Sequence, residues 1–150
     1  MNKFFRKLAL LTVAVFMAAG AAAQNGDRIL GVYKAVEEGK ESKVEFTRQA
    51  DGSYRGQIIW LKLPNNPDGT PKLDVKNPDA AKRLVRADQV VVVDGVKYDA
   101  KKNVWNGGRV YDPTKGKDYK VEVSCEDAKT LRVKGSLLGF SRSVYLTKIE

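Results

Sequence analysis

The sequence predicts an all-β protein: a single antiparallel up-and-down β-barrel of about eight strands, with one long loop and at most one short helix. Three observations lead there. In residues 104–137, Tyr119, Val121, Val123 and Cys125 alternate with Lys120, Glu122 and Ser124, and Leu131, Val133, Gly135 and Leu137 alternate with Arg132, Lys134 and Ser136, the period-two pattern of strands wet on one face. Short turn signals recur along most of the chain, Asp112-Pro113-Thr114-Lys115-Gly116 being the clearest, with a turn-starting Asp, a Pro that presets φ and a Gly that accepts positive φ. Closing a meander of this size on itself removes the exposed edges that an open sheet would leave. A two-sheet sandwich is the alternative arrangement of the same strands.

From the N-terminus, Lys3, Arg6 and Lys7 precede an apolar stretch over residues 8–18 and an Ala21-Ala22-Ala23 run, the three parts of a cleavable secretory leader. Residues 1–23 are read as that signal peptide and residues 24–150 as one β-barrel domain. The apolar part is too short to span a bilayer, and the only cysteine is Cys125, so the reading is of a periplasmic or secreted protein that is not a lipoprotein and has no stable membrane insertion after cleavage. Residues 29–36 and 43–48 form the first two strands around a Glu37-Glu38-Gly39-Lys40 turn. In residues 54–63 the run Ile58-Ile59-Trp60-Leu61 leaves neither face polar, so both sides of this strand are expected to be covered.

Residues 64–78 hold four of the five prolines among Asn, Asp and Gly, a composition that suits neither a helix nor an interior strand. A connection this long in a small domain is read as a lid or binding loop. Residues 79–86 space Ala, Leu and Val at roughly helical intervals after a candidate Asn77 cap and are read as a short helix or a turn. Residues 89–93 then read as a strand, Asp94-Gly95 as a hairpin turn and residues 96–98 as the returning strand. Gly107-Gly108 after Trp105 marks a bulge or sharp bend, and residues 143–149 close the meander.

Composition removes several function classes. There is no histidine, which eliminates His-based triads, His metal ligation and a near-neutral imidazole acid/base. No nucleophile motif stands in the chain, no acid/base pair is recognisable by spacing, and Asp74, Asn77 and Asp79 do not fit a calcium loop, so the reading is of no enzyme, no metal and no cofactor. A lone cysteine forms no internal disulfide, and Cys125 falls on the inward side of its strand as a small hydrophobe. The formal net charge is +9 and falls to roughly +6 without the leader, scattered among both signs. Export leaves no nucleic acid as a partner, so the attractions open to a basic chain are anionic envelope polymers, lipid head groups or an acidic protein. Lys82, Arg83 and Arg86 form the local cluster suited to such docking.

The blocks Gly56-Gln57-Ile58-Ile59-Trp60-Leu61-Lys62, Asp74-Val75-Lys76-Asn77-Pro78, Trp105-Asn106-Gly107-Gly108-Arg109-Val110-Tyr111-Asp112-Pro113, Gly116-Lys117-Asp118-Tyr119 and Leu131-Arg132-Val133-Lys134-Gly135 together resemble the exported bacterial family known as domain of unknown function 2147. The likeness covers nearly all of residues 24–150. It implies a calycin-type outline, lipocalin-like or streptavidin-like, and no established activity. The chain departs from the family after the Asn-Pro block, where Arg83-Leu84-Val85-Arg86-Ala87 stands.

Two functions follow. The first is an exported small-ligand-binding β-barrel of the bacterial envelope that takes a partly apolar molecule. Trp60, Trp105, Tyr111 and Tyr119 are the aromatics placed to line its cavity or mouth, and Asp74, Asn77 and Asp112 are the polar candidates. The second is a solidly packed barrel that serves as an envelope interaction module for an anionic polymer or a protein. Cavity size separates them, since a barrel of this strand number either fills itself or holds one ligand.

Overall fold

A computed structural model describes residues 25–150, so the leader read at residues 1–23 lies outside the described residues. Nine strands follow in order: β1 Gly31–Glu37, β2 Lys40–Arg48, β3 Tyr54–Leu61, β4 Val91–Asp99, β5 Val104–Asn106, β6 Arg109–Asp112, β7 Lys117–Cys125, β8 Thr130–Leu137 and β9 Phe140–Lys148. Both β5 and β6 pair with β4 on one side and β7 on the other, so they are two halves of one stave. With β1 paired to β9, eight antiparallel staves close into a barrel. Among the described residues every stave has a partner on both sides, which limits the exposed edge to the short β1–β9 seam.

The β5–β6 break falls at Gly107-Gly108. Gly107 has φ +81°, a region costly for other residues. Gly108 lies so close to the backbone of Asp94, Gly95 and Val96 that a Cβ there would overlap it. Opposite this break, Gly95 has φ +73° but starts no hairpin: Val91–Asp99 runs through it as one strand. The expected Asp94-Gly95 turn is therefore a kink in which two glycine-bearing staves approach closely. The outer face of β3 also differs from expectation. The pairing with β2 shifts register where Lys43 meets Trp60 and Val44 meets Ile58. Ile58 therefore points in, while Ile59 and Trp60 are exposed on the outer face. A bulge rather than two-sided burial explains the unbroken apolar run.

No helix forms over residues 79–86; a 3₁₀ turn at Ala80–Lys82 stands there, capped by Asp79, whose side chain accepts from the Ala81 N–H. The Asn77 side chain caps one step earlier, accepting from the Asp79 N–H at 2.9 Å.

The core is unequally distributed along the barrel axis. One end is filled by Tyr33, Phe46, Tyr54, Val96, Trp105, Val123 and Leu131, each no more than 2% exposed. Asp27–Ile29, a short 3₁₀ turn, plugs this end. Trp105 Nε1–H donates to the Gly26 carbonyl at 3.0 Å, Tyr54 Oη–H to Asp27 Oδ1 at 2.7 Å, and Tyr33 Oη–H to the Ile29 carbonyl at 3.0 Å. Arg28 lies over the Tyr98 and Trp105 rings, so a cation–aromatic stack covers the plug.

Candidate functional site

The opposite half of the barrel is hollow. A cavity of about 1230 Å³ runs inward from the mouth. Its walls are the inward residues of the strands, among them Ala35, Val44, Ile58, Val110, Val133 and Leu146, with Phe46 at its inner end. Small residues stand on this wall: Gly135 on β8 has Val110 and Tyr119 packed beside it, so that a Cβ there would come within 3.2 Å of Val110, and Ala35 faces inward on β1. Four connections form the rim, namely the β1–β2 turn, residues 62–90, the β6–β7 turn and the β8–β9 turn.

The long connection is a built wall rather than a structureless flap. Asn65 bridges to Pro71 and Leu73 to Arg86. Asp74, 3% exposed, ties it to the barrel: Oδ1 accepts from Tyr111 Oη–H at 2.7 Å and Oδ2 from Asn77 Nδ2–H at 2.9 Å. Burial, followed by the adjoining carboxylate, holds the Tyr111 phenol well above its ordinary range. Lys76 Nζ donates to the Thr114 carbonyl at 2.8 Å, and Gly116 sits against the Lys76 backbone with no room for a Cβ. These contacts clamp the loop to the β6–β7 turn, itself capped by Asp112, whose Oδ1 accepts from the Thr114 N–H and hydroxyl.

The sequence-derived site residues therefore separate into groups. Asp74, Tyr111 and Asp112 meet at the rim and Tyr119 lines the interior, while buried Asn77 supports Asp74 from behind. Trp105 is fully buried at the plugged end, away from the cavity. Trp60 is on the outside, 39% exposed under the Lys43 ammonium. Two of the three residues of the basic cluster are engaged locally: Arg83 donates to the Asn77 carbonyl at 2.7 Å, and Arg86 forms a two-pronged pair with Asp88. Cys125 is half-buried, and burial raises its thiol pKa, the opposite of what a reactive thiolate needs.

Two rim features were not singled out in the sequence. The β1–β9 seam pairs only Tyr33–Ala35 with Leu146–Lys148. Beyond it towards the mouth the staves are joined by an exposed Arg142–Glu37 ion pair at 2.9 Å. Next to that gap, the β8–β9 turn presents Leu137, Leu138 and Phe140, which are 44%, 89% and 82% exposed. The Leu137-Leu138-Gly139-Phe140 run was the available signal: three large apolar residues around a turn glycine.

No curated protein matches the chain. Among solved structures it is similar to one described as protein HP1028 from the human pathogen Helicobacter pylori, which belongs to the lipocalin family; identity is 26%, the TM-score is 0.63, and the match covers 81% of this chain and 83% of that one. The closed eight-stave barrel accords with that likeness. Residues 31–148 match the family described as "Uncharacterized protein conserved in bacteria (DUF2147)", and the chain belongs to it.

Proposed function

We propose that this protein is an exported binding protein of the bacterial envelope, whose barrel holds one small, elongated, largely apolar molecule with its polar end at the mouth. The observation that carries this reading is the cavity of about 1230 Å³ walled by aliphatic side chains. Ligand pockets commonly enclose roughly 300–1,000 Å³; a wide mouth adds to that. A barrel packed throughout, as the interaction-module reading requires, would have filled this half as the plugged half is filled. Asp74 and Tyr111 are the polar groups at the rim that could meet the ligand's head. Export rests on the leader pattern of residues 1–23, and a binding rather than catalytic role rests on the absence of histidine and of any nucleophile motif.

Native mass spectrometry of the protein purified from a bacterial envelope tests the reading directly. A reproducible extra mass that is lost on denaturation supports it. Titration with a fluorescent long-chain fatty acid gives the second arm. Val144 lines the cavity beside Val133, so Val144→Trp should fill the space and weaken uptake about tenfold or more while the protein stays folded. A bare mass together with no fatty-acid uptake would remove the binding reading.

A further inference from the structure

We propose that the β8–β9 turn is a peripheral docking site for an anionic lipid surface. The turn takes Leu138 (φ +50°) and Gly139 (φ +83°) through the left-handed region, the backbone of a two-residue hairpin loop that favours Asn-Gly. The neighbouring β1–β2 hairpin takes the same path at Glu38 (φ +50°) and Gly39 (φ +76°) with a charged residue. A leucine at this position is unfavourable for the fold twice over, in backbone conformation and in its 89% exposure. Phe140, 82% exposed, stands beside it. Burial of these side chains in a lipid interface would offset both penalties.

Charge identifies the surface. Behind the tip, on the outer face, is a crevice of about 360 Å³ lined by Arg109, Lys120, Ser136 and the turn residues 137–139. Arg109 and Lys120 are direct cross-strand neighbours. Among the described residues neither forms an ion pair, and Asp94, opposite Arg109 on β4, is taken by Arg55 at 3.1 Å. Two uncompensated cations next to an apolar tip match a lipid phosphate over acyl chains, since each basic residue near an anionic membrane adds attraction. The tip also borders the cavity mouth and the short β1–β9 seam, so docking would place the opening against the source of an apolar ligand.

Sedimentation with sucrose-loaded phosphatidylcholine vesicles, with and without phosphatidylglycerol, tests the proposal on the protein beginning near Gln24. The wild type should bind the anionic vesicles and bind the neutral ones far less. Leu138→Asn with Phe140→Ser should weaken binding about tenfold or more; asparagine suits the positive φ, so the hairpin stays intact. Arg109→Gln and Lys120→Gln should each cost about fivefold while leaving fatty-acid uptake in solution unchanged. Val144→Trp separates the two readings, because it should lose fatty acid and keep vesicle binding. No binding of the wild type to anionic vesicles would overturn the docking site. So would tip variants that bind like the wild type, or a wild type that forms a dimer abolished by the same tip variants and ignores vesicles.

Discussion

The Asp74 carboxyl has almost no access to water and is held by two neutral donors. Removing it strands both donors. Asp74→Ala should therefore lower unfolding free energy by about 1–3 kcal/mol and expose residues 62–90 to proteolysis; urea titration and limited trypsin digestion read the two effects. The buried phenols give a pH prediction. Burial, and then the Cys125 thiolate, raises Tyr33 to about 12; burial, and then the Asp27 hydrogen bond, raises Tyr54 to about 12. Below pH 10 both states keep the proton. From pH 10 towards 12 the unfolded chain releases it while the fold retains it, so stability falls as pH rises, by up to about 1.4 kcal/mol per pH unit for each tyrosine. Tyr33→Phe should flatten that decline in denaturation measured across pH 9–12. At this scale the sequence was legible in chemistry but not in height. Alternation says that Trp105 and Tyr119 both point inward, yet only the position of the plug decides that Trp105 is core and Tyr119 cavity wall. The Asp74–Tyr111 contact joins residues 37 apart, beyond what local spacing encodes.

Strands and turns were legible wherever period-two alternation was unbroken, as in β7 and β8. They were misread where a bulge let the phase slip, at Ile58-Ile59-Trp60 and at Asp94-Gly95. A glycine between valine runs has the same local signature in a kinked strand as in a hairpin. What separates the two is Gly108, whose backbone needs the space beside Gly95. The two glycines of the β5–β6 break should therefore respond differently to alanine. Gly107 has open space and a left-handed φ, so Gly107→Ala should cost about 1–2 kcal/mol. Gly108→Ala forces two staves apart and should cost about 3 kcal/mol or more. Thermal or urea denaturation of the pair checks the ordering, and equal costs would contradict the close approach.

Across the whole molecule, side chains are concentrated at the plugged end and space at the mouth. Hydrogen exchange should follow that gradient. Amides of β7 and β8 near Val123 and Leu131 should be protected to the limit of global unfolding, while Val36–Glu37 and the outer half of β9 should open locally. A bound ligand should tighten the hollow half and add about 2.7 kcal/mol at a hundredfold excess over its Kd. The closed barrel was legible as a class from strand count and edge avoidance. The hollow half was not, because cavity volume depends on how inward residues of distant strands come together, and Ala35 and Gly135, both on its wall, are 100 positions apart in the chain. The plug has a further consequence. Because Asp27–Ile29 stops one end of the barrel, the protein is a cup and not a pipe. A guest of the proposed site would arrive and depart by the same route, in reverse order, its last atoms in being its first atoms out. On the proposed binding reading, such a shape would suit carrying or storing a cargo and not conducting it through the barrel, and one cargo would have to leave before another is loaded.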